Sequence, residues 1–276
     1  MTTDPSIPTL TWHLTVAYDG TEFHGWQLQP AARTVQGELL KRLQRVFRLP
    51  ELKIYGTSRT DAGVHALDQH VSFETPADTD VTTESLQNTM NRWLPEDMAV
   101  TCVEQREADF HVRHNACGKS YIYVVHHGPG RPNPLASRFL WRHHRTLNRE
   151  AMQACANLMV GTHDFSSFGN QGGAPDADPV KTIHRIDVVP VGQMLCICIS
   201  GTSFLYKMVR IMSGYLVHVG TGAAAPEEVL RVLASCDRGT AKLTAPAQGL
   251  FLEKVFFEPE AWKAHQPALP PFRWPV

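Results

Sequence analysis

Hydrophobic and polar residues follow two different periods in the first half of the chain. Residues 10–18 alternate with a period of two and are rich in β-forming side chains, which predicts a strand. Between Val35 and Phe47 apolar residues recur every three or four positions, which predicts a helix that Thr34 caps and Pro50 follows. Further elements are strands at 53–55, 70–73 and 99–103 and a helix from Glu84, capped by Thr83, to Pro95. The predicted order is βαββαβ.

The second half of the chain repeats this order of elements. A strand is predicted at 120–126, and Asn148 and Gly161 mark the two ends of a helix. A long apolar helix is predicted from Phe204 to Gly220, and Pro226 marks the start of a further helix whose N-terminus Glu227 and Glu228 favour. The remaining strands are predicted at 184–189, 195–200 and 250–257.

The repeated order predicts an α+β fold built from two halves. We expect each βαββαβ half to form an antiparallel or mixed sheet, the sheets to lie side by side, and a central active-site cleft to lie between the halves. The halves are predicted to span 1–110 and 111–276, the second ending in a Pro-rich tail at 266–276. Residues 169–179, rich in Gly and Pro, are predicted to form a loop and are a candidate lid or RNA contact.

Composition indicates a globular protein. The chain has 276 residues, 43% hydrophobic and 19% charged, a balance that excludes wholesale disorder. No apolar run approaches the roughly 20 residues that a membrane span needs, and the start lacks a secretory signal pattern. The six cysteines form no CxxC pair, which favours reduced, buried thiols in a cytoplasmic protein over disulfides or a zinc site.

Charge is distributed unevenly along the chain, although the net charge is only -1. Between Phe110 and Arg149 there is no Asp or Glu, whereas the same stretch holds seven Lys or Arg residues and six His residues. Such asymmetry is typical of a localised phosphate-binding face. A basic surface balanced by acidic neighbours in the fold is an equally good interpretation of composition alone.

Residues 56–73, GTSRTDAGVHALDQHVSF, join two predicted strands through a turn that carries a cation and a carboxylate. Taken alone, Asp61 is more typical of a turn residue that bonds to its own backbone than of a catalytic group. Arg59 alone indicates a surface arginine or a phosphate contact. The motif therefore suggests chemistry without establishing it.

Two other positions place polar groups among apolar residues. Arg210 lies in an otherwise apolar helix, and arginine is rarely buried without a partner, so either an anion faces it or it occupies an exposed edge. Tyr121 and Tyr123 share one face of a predicted strand by the period of two, which is typical of core or cross-strand packing.

Taken together, six strings resemble the TruA family of tRNA pseudouridine synthases. In chain order they are YDGTEFHGWQLQP, RTDAGVHA at 59–66, MNRWLPEDMAV, HDFSSF, FLYKMVR and TAPAQGLFLEKVFF. RTDAGVHA is the family's catalytic motif and is unchanged here. The resemblance extends from about Leu14 to Phe257 and implies the pseudouridine synthase fold.

The resemblance implies an enzyme that isomerises uridine to pseudouridine in the anticodon stem-loop of tRNA, at positions 38, 39 and 40. It implies no cofactor and no metal, and a homodimer in which tRNA can contact both subunits. Asp61 matches the catalytic aspartate, which we expect to be the nucleophile, and Tyr121 matches the tyrosine that stacks on the target base. Arg59 matches the arginine that helps hold the flipped nucleotide, and Arg210 the helix arginine that pairs with the aspartate.

A carboxylate suits this reaction. Cleavage of an N-glycosidic bond builds positive character on the sugar, which a carboxylate can stabilise or capture covalently. Whether Asp61 attacks the sugar carbon or assists loss of a proton from the sugar stays open at this point. Either role needs an ionised side chain, which an arginine within about 4–6 Å favours.

The RNA contacts outside the catalytic motif are predicted from charge, at Arg113, Lys119 and Arg142. The chain departs from the family at CGKSYIY, where many members have an Arg-rich run before the tyrosine, since Ser120 and Ile122 carry no charge. Lys181 also stands where the family usually has arginine. We expect these departures to change RNA affinity more than the reaction.

Two other functional classes compete with this prediction. A non-catalytic RNA-binding or RNA-folding protein would use the same cleft, but the chain retains Asp61, Tyr121 and Arg210. A metal-dependent hydrolase would draw on the fourteen histidines, but the pairs His126–His127 and His143–His144 lack the spacing of known ligand motifs such as HExxH.

Overall fold

The computed structural model describes residues 8–170, 178–241 and 243–272. Most of the predicted loop at 169–179 and the last four residues of the predicted tail lie outside these ranges. The chain divides into two compact units, Met1–Ala116 and Cys117–Val276. Residues 111–116, predicted to open the second half, join the first unit, because the Val112 N–H donates to Ser72 Oγ and Arg113 Nε donates to the Gly56 carbonyl.

The first unit has the predicted βαββαβ order. Its elements are β1 (Thr9–Tyr18), α1 (Val35–Phe47), β2 (Tyr55–Gly56), β3 (His65–Pro76), α2 (Thr83–Trp93) and β4 (Met98–Arg106). Strand β1 pairs antiparallel with both β3 and β4, and β2 pairs antiparallel with β3. The apolar side of α1 packs on this sheet, since the Phe47 ring centroid lies 5.4 Å from that of Trp12 and 5.7 Å from that of Phe73.

Side-chain caps define where the two helices of this unit begin. Thr34 caps α1 as predicted, accepting a hydrogen bond from the Gly37 N–H at 3.2 Å. The cap of α2 is Thr82, one residue before the predicted Thr83. Thr82 Oγ1 accepts from the Ser85 N–H while Ser85 Oγ accepts from the Thr82 N–H, so the exchange satisfies two backbone donors that would otherwise lack partners.

The second unit contains the predicted elements, including the helix expected after Pro226, and two further short strands. Its elements are β5 (Gly118–His127), β6 (Trp141–His143), α3 (Arg149–Met159), β7 (Gly161–Asp164), β8 (Val180–Val191), β9 (Met194–Gly201), α4 (Met208–Gly220), α5 (Glu228–Ser235) and β10 (Leu250–Phe256). Strands follow the order β10, β5, β9, β8, β7 with antiparallel neighbours, and β6 pairs parallel with β5. Strands β6 and β7 and helix α5 extend the simple βαββαβ order.

Helix α4 begins four residues later than predicted, at Met208. Lys207 adopts a left-handed conformation with φ of +60°, which breaks the helical path. Phe204 and Leu205 therefore precede the helix instead of belonging to its apolar face. In the described part of the chain, no helix is both long and apolar enough to cross a membrane.

Strand β5 is buried on both faces. Tyr121 and Tyr123 lie on one face beside Ile199 and Ile197 of β9, while Ile122 and Val124 lie on the other. This second face packs with Phe251, Cys196 and Cys198, among other residues, in an apolar cluster. Burial raises the pKa of the Cys196 thiol to about 12.

The prediction of buried cysteines holds for only part of the set. Cys155, Cys196 and Cys198 are buried, whereas Cys102, Cys117 and Cys236 are exposed.

Candidate active site

Backbone contacts with β3 fix the start of the loop that carries Asp61. The Thr57 N–H and hydroxyl both donate to the His70 carbonyl, at 2.9 and 3.2 Å. The Gln69 side chain then forms a two-sided contact with Ser58, donating to its carbonyl at 2.7 Å and accepting from its N–H at 3.2 Å. The chain therefore leaves β2 in one defined path toward the catalytic motif.

The segment after β1 holds the other side of this loop. The Trp26 N–H donates to the Thr60 carbonyl at 3.0 Å, and the Gly63 N–H donates to the Phe23 carbonyl at 3.3 Å. The Tyr18 hydroxyl and Thr60 Oγ1 lie 2.8 Å apart and form a further hydrogen bond. Residues on both sides of Asp61 are thus bound to the same neighbouring segment.

Glycine allows the two segments to approach this closely. Gly25 has a φ of +89°, and a Cβ added there would lie 2.7 Å from the Thr60 carbonyl oxygen. A Cβ at Gly20 would lie 1.9 Å from the Val64 carbonyl oxygen. Any side chain at either position would therefore push the loop away from its present place.

Asp61 opens a tight turn. The Val64 N–H donates to the Asp61 carbonyl at 3.1 Å, and Gly63, the third residue of the turn, has a φ of +79° that favours glycine. The Asp61 side chain is partly exposed. The arrangement presents one carboxyl group from a loop whose backbone is tied on both sides.

A buried histidine anchors the end of the same loop. His65 is 1% exposed, and its Nδ1 accepts a hydrogen bond from the Gly20 N–H at 3.0 Å. Asp19 Oδ1 lies 3.1 Å from the same nitrogen. Because the Gly20 N–H points at Nδ1, we assign that nitrogen as an acceptor, so the Asp19 contact is not an ion pair. Burial raises the pKa of Asp19, whereas the hydrogen bonds that the Thr21 N–H and hydroxyl donate to its Oδ1 lower it, and the net change is a decrease.

Two of the predicted RNA-contacting arginines lie near each other in the first unit. Arg59 and Arg113 are both exposed, and Arg113 Nε donates to the Gly56 carbonyl at 2.9 Å. Burial and then the nearby Arg59 cation lower the pKa of Arg113, against an opposing effect of Tyr55. Arginine still remains charged at neutral pH, so two cations flank the start of the loop.

Tyr121 and Lys119 lie on one face of β5, two residues apart. Tyr121 is 8% exposed, and its ring lies nearly perpendicular to that of Phe204, with centroids 5.1 Å apart. The structure therefore places a cation and an aromatic ring on the same side of the second unit's sheet. Arg142 lies elsewhere. It belongs to β6 and pairs with His126 of β5, and the pleat places both residues on the face opposite to Tyr121.

Arg210 holds the segment that leads into β10. Its Nε donates to the Ala245 carbonyl at 2.8 Å, and the Ala245 N–H donates to the Arg210 carbonyl at 3.1 Å. The Tyr123 hydroxyl donates to the neighbouring Pro246 carbonyl at 2.7 Å. Burial raises the pKa of Tyr123, although the Arg210 cation opposes this change. Arg210 is partly exposed, and the bond to the Ala245 carbonyl fixes one edge of its guanidinium group.

The predicted site residues fall into two groups. Asp61, Arg59 and Arg113 belong to the first unit, whereas Tyr121, Lys119 and Arg210 belong to the second. The pairing of Asp61 with Arg210 and the central cleft would join one unit to the other, and both stay predictions.

Metal-ligating side chains do not converge in the described residues. Within 8–170, 178–241 and 243–272, no group of three or more His, Cys, Asp or Glu side chains is placed to hold a metal ion. The adjacent histidine pairs that the sequence offered are therefore not part of such a group.

Sequence reasoning missed the residues that position the site. Ala245 and Pro246 act through their own carbonyl groups, whereas Gln69 and His65 use their side chains to bind backbone groups of Ser58 and Gly20. A hydrogen bond to a backbone group leaves no pattern in the sequence of the residue that it binds. The alternation of β3 could have shown only that Gln69 is an inward-facing polar residue.

Comparison with known proteins identifies relatives along most of the chain. A family model described as tRNA pseudouridine synthase matches residues 14–115 and 155–258. The tRNA pseudouridine synthase A of Geobacillus kaustophilus is 39% identical over 245 residues, which cover 89% of this chain and 93% of that protein. The protein of the same name from Thermotoga neapolitana is 40% identical over 243 residues, covering 88% and 97%.

Solved structures align much less closely. A chain in the archaeal box H/ACA sRNP Nop10–Cbf5 complex is 11% identical, with a TM-score of 0.32 over 75% of this chain and 42% of that one. The assignment therefore rests on sequence, through the family model and the curated relatives. By these matches, the chain belongs to the tRNA pseudouridine synthase family.

Proposed function

We propose that this protein isomerises uridine to pseudouridine in the anticodon stem-loop of tRNA, with Asp61 as the catalytic carboxylate. The observation that carries the proposal is the fixed loop at 57–64, which carries Asp61 and has two cations near its start and a buried histidine at its end. Membership of the tRNA pseudouridine synthase family supports the reaction and the class of substrate. The choice of the anticodon stem-loop rests on the resemblance of the motifs.

The reaction needs no co-reactant. The bond between the sugar C1′ and uracil N1 breaks, the uracil turns, and C1′ forms a bond to uracil C5, which then loses its proton. N1 gains a proton, so atoms and electrons balance within the nucleotide. In this scheme Asp61 attacks C1′ and holds the sugar while the base is detached.

Ionisation of Asp61 is the electrostatic requirement of this scheme. We propose that Arg210 faces Asp61 and favours its charged form. Arg210 uses Nε to bind the Ala245 carbonyl, and its terminal nitrogens lie at the other end of the guanidinium group. A cation fixed in this way would need little reorganisation during the reaction.

Stacking on Tyr121 would offset part of the cost of extruding the uridine. Extrusion costs a few kcal/mol, and an aromatic contact returns roughly 1–3 kcal/mol per base. Since Tyr121 is only 8% exposed, neighbouring side chains must move before a base reaches its face. Phe204, whose ring it contacts at 5.1 Å, precedes α4 in an irregular segment and is one such neighbour.

The wider assembly follows from the same resemblance. We propose a cytoplasmic homodimer in which tRNA contacts both subunits. Lys119 and Arg113 would bind RNA phosphates, since both are accessible cations near proposed site residues. Arg142 is a weaker candidate because it lies on the opposite face of the sheet from Tyr121.

Tritium release from tRNA labelled at uracil C5 tests the catalytic role. Asp61→Asn and Asp61→Ala should abolish release while tRNA affinity stays within about threefold of wild type. Asp78→Asn removes the charge of an exposed aspartate and should leave release unchanged. Release by Asp61→Ala at a wild-type rate would refute the proposal. Binding without release in the wild-type protein would favour the non-catalytic RNA-binding alternative.

A further inference from the structure

Three aromatic rings form an exposed cluster on the first unit. The ring centroids of Tyr55 and His111 lie 4.9 Å apart, and those of His111 and His114 lie 4.5 Å apart. Tyr55 is 39% exposed, whereas Tyr123 in the second unit is fully buried. The cluster therefore offers aromatic surface to a ligand.

The cluster is held in place by backbone contacts. Tyr55 belongs to β2 and lies opposite Ser72 of β3. The Val112 N–H donates to the Ser72 hydroxyl at 3.4 Å, which brings the segment that carries both histidines back to this sheet edge. His111 opens a turn, because its carbonyl accepts from the N–H groups of His114 and Asn115, each at 3.0 Å.

Charge around the rings favours a polyanion. Arg113 follows His111 by two residues, and its guanidinium binds the Gly56 carbonyl, next to Tyr55. Arg59 lies close enough to influence the pKa of Arg113. Glu74 is the acidic group that acts on His111, and it raises the pKa of that ring. Burial, His114 and Arg113 together outweigh it and lower this pKa, so His111 is a neutral ring at neutral pH.

We propose that Tyr55 and His111 form a stacking platform for an unpaired base of the RNA, with Arg113 and Arg59 on the adjoining phosphates. This inference rests on the proposed function, since it assigns the platform to the same tRNA substrate. Gly56 is the residue after Tyr55 and opens the loop that carries Asp61. The bound base is therefore a neighbour of the extruded uridine and not the uridine itself, which Tyr121 receives.

The combination of flat rings and arginines is the chemistry that binds single-stranded RNA. Each base has a π-face, so an aromatic ring binds it with little regard to sequence, while arginine neutralises the backbone. The platform would keep the loop nucleotides apart while the target base is out of the stem.

Substitution of Tyr55 separates stacking from charge. Tyr55→Ala should weaken the binding of a fluorescein-labelled anticodon stem-loop RNA about five- to tenfold, and Tyr55→Phe should bind as the wild type does. Both variants should keep kcat within about twofold, since the effect appears in KM. Leu230→Ala removes an exposed apolar side chain from α5 and is the matched control.

Fluorescence of 2-aminopurine gives a direct signature of stacking. Placed in turn at each unpaired position of the RNA, it should be quenched by wild type and Tyr55→Phe at one position, and Tyr55→Ala should restore the emission. Equal affinity and equal quenching for Tyr55→Ala would overturn the platform, even if Arg113→Gln weakens binding through charge alone. Absence of tritium release from labelled tRNA by the wild type would instead refute the proposed function, so the two failures are distinguishable.

Discussion

His13 and His70 are joined by one hydrogen bond, because Nε2 of His13 lies 2.7 Å from Nδ1 of His70. At this separation one nitrogen must donate and the other accept. Their outer nitrogens face carboxylates, Glu104 at 3.2 Å from His13 and Asp68 at 2.9 Å from His70. Two imidazolium rings would direct opposing N–H groups at each other here. The folded pair therefore holds fewer protons at acid pH than two unfolded histidines do.

The first prediction is that acid destabilises the protein through His13. Burial and the His70 charge, with a contribution from Arg106, lower the pKa of His13 from 6.5 to about 4 against the opposing effect of Glu104. Because the folded pKa lies below the unfolded one, this stabilisation is complete above about pH 6.5 and is lost as pH falls toward 4. By pH 5 urea titration should show a loss of about 2 kcal/mol in the free energy of unfolding.

Two variants isolate that effect. His13→Gln should flatten the pH dependence, whereas His144→Gln, at an exposed position, should leave it as in the wild type. A gain in the stability of the wild type relative to His13→Gln between pH 7 and pH 5 would contradict this prediction. It would mean that Glu104 outweighs the other effects and raises the pKa of His13.

The second prediction concerns Gly25, which lies against the loop that carries Asp61. Gly25→Ala places a Cβ 2.7 Å from the Thr60 carbonyl oxygen and strains a φ of +89°. We expect kcat to fall at least tenfold, because the displaced loop carries Asp61. Gly222→Ala is the matched control: its φ is +76°, but nothing lies within 4 Å of the added atom. It should cost about 1 kcal/mol of stability and no activity. Equal activity in both variants would show that loop position is not limiting.

The third prediction separates the charge of Arg210 from its structural bond. Arg210→Gln should lose most turnover, and Arg210→Lys, which keeps the charge, should retain more of it. Both lose the Nε bond to the Ala245 carbonyl, which should lower the free energy of unfolding by about 1–3 kcal/mol. Tyr123→Phe removes a bond to the same segment without removing a charge, so it should lose stability and keep kcat. Full activity of Arg210→Gln would exclude the pairing with Asp61.

The fourth prediction tests Tyr121 as a stacking ring. Tyr121→Phe should retain turnover within about tenfold, since the aromatic face is kept, while Tyr121→Ala should lose substantially more. Single-turnover rates at saturating tRNA measure the difference without interference from binding. A greater loss in the Phe variant than in the Ala variant would assign the role to the hydroxyl group instead of the ring.

Periodicity predicted the regular elements well because burial imposes it. The alternation at 10–18 and the helical stripe behind Thr34 both became the expected elements, β1 and α1. The start of α4 could not be predicted, since Phe204 and Leu205 continue the apolar pattern and only the left-handed backbone at Lys207 ends the helix there. Strand β6, of three residues, is too short to show a period.

The sequence indicates the side chains that carry the chemistry of the site, but it does not show the contacts that position them. The motif at 59–66 shows Asp61 and Arg59 because their side chains carry the chemistry. The contacts that fix their loop include main-chain bonds, such as those accepted by the carbonyl groups of Phe23 and Thr60, and such bonds leave no pattern in the side chains. Tyr55 and His111 meet because Val112 binds Ser72 and Arg113 binds Gly56, contacts between distant positions that one sequence cannot reveal.

The bond between Arg210 and Ala245 has a consequence for synthesis on the ribosome. Helix α4 is complete by Gly220, yet the carbonyl that fixes its arginine is made 25 residues later than that helix ends. A nascent or prematurely terminated chain that stops before Ala245 carries the aspartate loop and the tyrosine strand but leaves this guanidinium unanchored. Translation must therefore reach almost the final strand before this guanidinium group is held in the way that the proposed mechanism requires.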